Sequence, residues 1–226
     1  MIGTLVNCGA IILGSITGLL LSRHIPERFR EIMMQALGLS TLFIGFRMAL
    51  SYDDPLPVVI SLLAGGIIGE WINIEKGIEK TGEWIKEKLA FRSSSFGTGF
   101  VTASILYLTG PMMIVGSIQD GTIGDSSILF LKALLDGIAS IALVSLYGIG
   151  VLFSAIPVFL IQGGIAMTAS SLLFLQTPQV LGAITATGGV LVVGIGLNLL
   201  NITKIRIGNF LFALVLIIAW KWFTGA

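Results

Sequence analysis

Lys132 and Asp136 stand four residues apart in an apolar run of about 50 residues that starts at Ser126 and carries no other charge. On a helix that spacing puts both on one face, the arrangement of an intrahelical ion pair. An ionisable group in hydrocarbon costs several kcal/mol unless it is paired or hydrated, so pairing lowers the cost without assigning a role. Two readings stay open: the pair lies near the outer membrane interface, or it forms the polar wall of a solute or ion path. Asn7, Gln162 and Asn198 are the uncharged polar side chains of the apolar stretches. Amides in such places bridge helices through hydrogen bonds worth about 1 kcal/mol, or line a pathway.

The segment "GPMMIVGSIQDG", residues 110 to 121, is the second source of chemistry. Pro111 cannot donate to a helical ladder, and Gly110, Gly116 and Gly121 permit tight backbone turns. Irregular backbone at membrane depth is tolerated where protein or water satisfies its freed amides and carbonyls, which is how transporters and channels build ion sites. A broken or re-entrant segment with Gln119 and Asp120 at its outer end is one expectation. A helix that kinks at the proline and leaves through a polar loop ending at Asp125 is the other.

Other chemistries find little support. The single histidine, His24, and the single cysteine, Cys8, provide neither a cluster of soft metal ligands nor an internal disulfide. Asp120 and Asp136 could act as paired carboxylates but have no histidine or cysteine partner, and no nucleophile with an activating base is visible. The expectation is therefore no enzyme, no metal and no cofactor. Cys8, a small residue in a glycine-rich stretch, reads as packing.

These residues need elements that hold them in a bilayer. The 226 residues are 55% hydrophobic and 11% charged, with a mean hydropathy of +0.99 and a net charge of +1. Soluble domains carry about a quarter charged residues. The chain reads as an all-α polytopic membrane protein with no nucleic-acid footprint and with the lipid bilayer as its surroundings. About 20 apolar residues cross a bilayer core, and eight stretches approach that length: Gly3 to Ser22, Met34 to Leu50, Leu56 to Trp71, Gly97 to Val115, Ile128 to Tyr147, Leu152 to Phe174, Val180 to Leu200 and Ile207 to Phe223. The boundary at "LYGIGVLFSAIP" is required because one helix cannot span the whole run from Ser126. Positive charge first appears at Arg23, after the first stretch, so a cleaved signal is not expected.

Cytoplasmic loops are enriched in Lys and Arg. With both termini outside and eight crossings, ten of the thirteen basic residues fall on the inside, in the loops after the first, third and seventh spans. Two segments read as short amphipathic surface helices: "IPERFREIMMQ", and "NIEKGIEKTGEWIKEKLAFR", where Ile74, Ile78, Ile85 and Leu89 form one stripe. A solvated helical hairpin is the alternative for the second. Arg47 is expected to meet Asp53 or Asp54 at the outer mouth.

A weak internal repeat overlays "GLSTLFIGFRMAL" (38 to 50) on "GVLVVGIGLNLLN" (189 to 201), and "NCGAIILGS" (7 to 15) on "QGGIAMTAS" (162 to 170). It pairs Gly38 with Gly189, Gly45 with Gly196, Arg47 with Asn198 and Asn7 with Gln162. Five crossings separate the two starts, so the halves would insert with opposite orientation. The layout expected is one integral membrane domain over 1–226: a first repeat half at 1–72, a cytoplasmic amphipathic loop at 73–95, a central helix pair at 96–148 and a second half at 149–226. The glycine runs "GSITG", "GGIIG" and "GGVLVVGIG" read as close-packing faces. Glycine-rich faces in excess of what one bundle uses would also serve a homodimer.

"GTLVN", "GPMMIVGSIQDG" followed by "KALLDGIAS", "GIGVLFSAIPV", "QGG" and "GIGLNLL" together resemble the YqgA/YdfK-like family of bacterial inner-membrane proteins over nearly the whole length. The family has no established substrate or catalytic residues to transfer. The resemblance implies a multi-pass protein of a bacterial plasma membrane. "QGGIAM" departs from the more polar continuation expected after the glutamine. The functional expectation is a transporter or channel for a small solute or ion, with a path among Asn7, Gly110, Pro111, Gln119, Asp120, Lys132, Asp136, Gln162 and Asn198. A membrane scaffold or sensor that transports nothing is the alternative.

Overall fold

The computed structural model describes residues 1–22, 26–77, 80, 95–108 and 110–224. The helices are α1 (Ile2–Ser22), α2 (Glu27–Ala49), α3 (Pro55–Ile72), α4 (Phe96–Leu108), α5 (Pro111–Thr122), α6 (Ser127–Tyr147), the single turn α7 (Gly150–Phe153), α8 (Ala155–Met167), α9 (Pro178–Leu199) and α10 (Phe212–Thr224). Two 3₁₀ stretches, Ala169–Gln176 and Ile207–Leu211, precede α9 and α10. Among the described residues there is no strand. Among the described residues six helical stretches are long and apolar enough to cross a bilayer, and α4 with α5 raises this to seven if that bent pair is one span. The count of eight is thus approximate. Its Met34 to Leu50 crossing lies in α2 and the turn that follows.

Proline and glycine set the boundaries. Pro55 opens α3, where the Asp54 carboxylate accepts from the Leu56 amide at 3.1 Å, and Pro178 opens α9. Each proline sits where a missing amide costs nothing, because first-turn amides have no helical partner. Gly148, with φ 72° and ψ −158°, ends α6. A side chain there would strain the backbone, so the glycine divides the long apolar run into two crossings. "ERFREIMMQ" is not a separate surface helix but the first turns of a continuous α2. Most of the other expected surface helix, and His24, lie outside the described residues. Arg47 is exposed and makes no ion pair with Asp53 or Asp54, whose pairing was expected; Asp54 is instead the cap of α3.

The chain forms two compact units: Met1–Met33, Glu79–Leu108 and Met112–Leu173 in the first, and Met34–Ile78, Thr109–Pro111 and Phe174–Ala226 in the second. In the first unit α1 and α6 run parallel and very close, with Gly3 against Leu129, Gly14 against Gly137 and Gly18 against Ile141. A Cβ at Gly14 would collide with the Gly137 carbonyl. No hydrophobic force joins helices in lipid, so such contact through small residues supplies the attraction. Against α1, α8 is antiparallel: Gly163 faces Thr4, and Cys8 Sγ donates to the Ala155 carbonyl at 3.5 Å. Cys8 is therefore a packing residue. Ser95, just before α4, donates to the Tyr147 carbonyl at the end of α6 at 2.8 Å, and Tyr107 lies against Ser140, which makes α4 antiparallel to α6.

In the second unit α2 lies antiparallel to α9, with Gly38 against Leu200 and Gly45 against Gly189 and Val193. The pair α3 and α10 is likewise antiparallel, with Gly65 against Ala213 and Gly69 against Asn209. A polar clasp holds the end of α3 to the segment before α10. Asn209 Nδ2 donates to Glu70 Oε2 at 2.6 Å, Arg206 pairs with Glu70 Oε1 at 2.6 Å, and the Gly208 amide donates to Glu75 Oε2 at 2.8 Å. Glu70 is the shared acceptor of this clasp.

Candidate functional site

Three helices of the first unit bring four of the sequence-selected residues together. Lys132 and Asp136 share one face of α6 and form the expected ion pair through Nζ and Oδ2. From α1, Asn7 Nδ2 donates to the same Asp136 oxygen at 3.0 Å and to Gln162 Oε1 of α8 at 3.0 Å. Gln162 Nε2 in turn donates to Thr4 Oγ1 at 3.3 Å. A chain of polar groups thus runs Lys132, Asp136, Asn7, Gln162, Thr4 through an otherwise apolar interior. Asn7, Gln162 and Thr4 are 0% exposed, and Lys132 and Asp136 only 5% and 8%.

Position along the helices places this cluster well inside the unit. Lys132 and Asp136 are five and nine residues beyond Ser127, so about 8 and 14 Å along α6 at 1.5 Å per residue. The hydrocarbon core is about 30 Å thick, which puts Asp136 far from either end of the span and disfavours the interfacial reading of the pair.

The orientation of Asn7 is chemically determined. A carboxylate only accepts, so the amide nitrogen must face Asp136, and its second hydrogen is used on Gln162. The Asn7 oxygen is then left with no hydrogen-bond partner among the described residues. Both bonds to Asp136 fall on Oδ2. Buried polar groups are paired in the great majority of cases, so an unmatched acceptor beside a carboxylate calls for an explanation.

Two neighbours extend the cluster. The Lys132 ammonium lies 5.7 Å from the centroid of the Tyr107 ring, within cation–π range. The Tyr107 hydroxyl shares a hydrogen bond of 2.8 Å with Ser140, one turn beyond Asp136. Tyr107, Ser140 and Thr4 were not singled out from the sequence. Thr4 and Ser140 were legible as polar residues three and four positions from Asn7 and Asp136 on the same faces. For Tyr107, 33 residues from its partner, no sequence signal existed.

The remaining selected residues lie elsewhere. Pro111 opens α5, so "GPMMIVGSIQDG" is a short helix of its own, bent by 64° from α4, with Gly110 in the break. Near its end, the Asp120 carboxylate meets the Met1 ammonium at 2.9 Å and accepts from Ser126 Oγ at 2.6 Å. Asp120 is engaged there and not with Asp136 as a carboxylate pair. Gln119 is half-buried beside it. Asn198 belongs to the second unit, where it acts as a staple: its Nδ2 donates to the Ile205 carbonyl at 2.7 Å, and its Oδ1 accepts from the Ile205 amide at 2.8 Å and Thr203 Oγ1 at 3.2 Å.

The chain is 33% identical over 236 residues to "Uncharacterized protein YqgA" of Escherichia coli (strain K12), covering 99% of this chain and 100% of that one. It is 31% identical over 220 residues to "Uncharacterized membrane protein YdfK" of Bacillus subtilis (strain 168), covering 96% and 93%. No solved structure matches it. Residues 2–222 match the family described as "Protein of unknown function (DUF554)". The multi-pass helical architecture, the buried polar chain of the first unit and these whole-length matches lead to one conclusion: the protein is a membrane protein of the DUF554 family.

Proposed function

We propose that the protein moves a small solute or ion across a bacterial inner membrane, as a transporter or channel, along a path built on the Lys132, Asp136, Asn7 and Gln162 cluster. The observation that carries this reading is the unmatched Asn7 oxygen beside a buried carboxylate. A cluster that served only to join α1, α6 and α8 would gain by filling that position with an apolar side chain or a donor, since an unsatisfied buried acceptor costs about 1–3 kcal/mol. Tyr107 of α4, the first half of the bent pair, borders Lys132, so the bend lies on an element of the site.

The reading includes an inverted repeat. Under the proposed overlay Asn7 corresponds to Gln162, and the two bond to each other. Gly38 faces Gly196 while Gly45 faces Gly189, contacts that the overlay exchanges with one another. Antiparallel packing of α1 on α8 and of α2 on α9 is what a two-fold relation between neighbouring helices requires. The reading also places both termini outside, on the charge asymmetry of the loops, and it assigns no catalytic residue. A reporter fused after residue 226 that proves cytoplasmic would overturn the eight-crossing orientation.

Flux into proteoliposomes tests the central claim, using a panel of ions and small metabolites and comparing the protein with Asp136→Asn and Asp120→Asn variants matched for folding. The expected result is flux abolished by Asp136→Asn. No flux of any solute by folded protein would refute transport and leave the scaffold or sensor reading.

A further inference from the structure

Ala213, Ile217 and Lys221 are the buried residues of α10, four apart, and so form the stripe that packs on α3. Gly69 against Asn209 and Gly65 against Ala213 set an antiparallel register that puts Lys221 level with Pro57, buried at the start of α3. Such a stripe calls for a small or apolar residue. It ends instead in a lysine only 7% exposed. We infer that Lys221 anchors an anion site at this end of the second unit and that its occupant is the phosphate of an anionic phospholipid.

Two commonplace roles for a lysine near a helix end do not fit. A lysine that only fixes a helix at the membrane surface runs along the lipid-facing side and extends its ammonium into the headgroups. On α10 that side belongs to Trp222 and Phe223, both exposed, while Lys221 is turned inward. The other role is a structural ion pair, the usual condition of a buried lysine. Among the described residues Lys221 has no carboxylate within ion-pair distance and donates no hydrogen bond. Its ammonium lies 5.2 Å from the centroid of the Tyr52 ring, a contact that attracts it without supplying negative charge. Asp53 and Asp54 follow Tyr52 but are exposed, and Asp54 caps α3. A buried charge with no counter-charge is strongly disfavoured, so the place calls for an anion from outside the chain.

Depth and neighbours select the occupant. Lys221 is in the last turn of α10, flanked by the exposed Trp220 and Trp222. Tryptophan and tyrosine collect at the level of the lipid headgroups. Phe174 holds Trp222 edge-on, with ring centroids 4.7 Å apart, which gives the site an aromatic wall on its lipid side. Tyr52 also touches Gly182, about one helical turn into α9, whose N-terminus has no side-chain cap. The positive end of that helix dipole adds to the attraction for an anion. A phosphate offers several oxygens to the three ammonium hydrogens. A zwitterionic headgroup brings its own ammonium to its phosphate, so an anionic phospholipid gains more from Lys221.

The test is native mass spectrometry of the full-length protein in detergent with phosphatidylglycerol, phosphatidylcholine or inorganic phosphate added, beside Lys221→Met and Lys221→Arg. The expected result is one phosphatidylglycerol held by the unaltered protein and by Lys221→Arg at least about tenfold more tightly than by Lys221→Met, the scale of one charge-assisted hydrogen bond. Phosphatidylcholine is expected not to match it. Methionine suits the apolar stripe and removes an unpaired charge, so Lys221→Met is expected to unfold no more easily than the unaltered protein in lipid-free detergent and to gain less thermal stability from added phosphatidylglycerol. Equal phosphatidylglycerol affinity with and without Lys221 overturns the site. Inorganic phosphate that displaces the lipid at equal concentration overturns the lipid as occupant and points to a soluble anion. Equal retention of the two lipids by the unaltered protein overturns the proposal without any substitution, so it can fail even if both variants misfold.

Discussion

Removing one partner of the buried pair is predicted to cost much more than removing both. In Asp136→Ala the Lys132 ammonium keeps its burial, 5% exposed, and loses the carboxylate it pairs with. Stranding a buried charge in this way costs about 3–5 kcal/mol. Asn7 Nδ2 also loses its charged acceptor, a hydrogen bond of the class worth about 1.5–3 kcal/mol. The losses overlap, so a total near 4 kcal/mol is expected. In the double variant Lys132→Met with Asp136→Leu, no charge remains and apolar side chains fill the space. Well-packed apolar replacements of buried pairs are often neutral or stabilising, which leaves chiefly the cost at Asn7. The double variant is expected to lie at least 2 kcal/mol above Asp136→Ala. The assay is reversible denaturation in mixed micelles of the parent, Lys132→Met, Asp136→Leu and the double variant, read as a double-mutant cycle, with Asp136→Ala measured beside them. Equal stability of Asp136→Ala and the double variant would refute the pairing argument.

Three further outcomes follow from the packing. Gly14→Ala is expected to lose about 1–3 kcal/mol because its Cβ would strike the Gly137 carbonyl, whereas Gly9→Ala, with open space around it, is expected to be neutral or slightly stabilising by the same assay. Asn198→Leu leaves the Ile205 amide and carbonyl without the side chain that holds them; a loss of about 1–3 kcal/mol and faster hydrogen exchange at residues 201–205 are expected. Tyr107→Phe keeps the ring against Lys132 but removes the bond to Ser140, so thermal unfolding should show a loss of about 1 kcal/mol rather than collapse.

Composition and periodicity were enough to establish a helical membrane protein, the approximate spans and the Lys132–Asp136 pair. Apolar length, the spacing of four residues and the cost of buried charge are all local or additive quantities. Pro111 likewise announced a break, and α5 begins at that residue. The sequence also selected Asn7 and Gln162 individually, because uncharged amides are conspicuous among aliphatic residues. What it could not determine was that these two share one hydrogen bond with each other and that Asn7 shares the Asp136 carboxylate with Lys132, since the partners of Asn7 lie 129 and 155 residues away. It equally could not separate Asn198, whose amide closes a local loop, or Asp120, held by Met1 and Ser126, from residues of the same types in the cluster. Which polar groups meet depends on how closely helices approach and at what rotation. The collision of any Cβ at Gly14 with the neighbouring carbonyl shows that this approach is decided only when α1 and α6 pack.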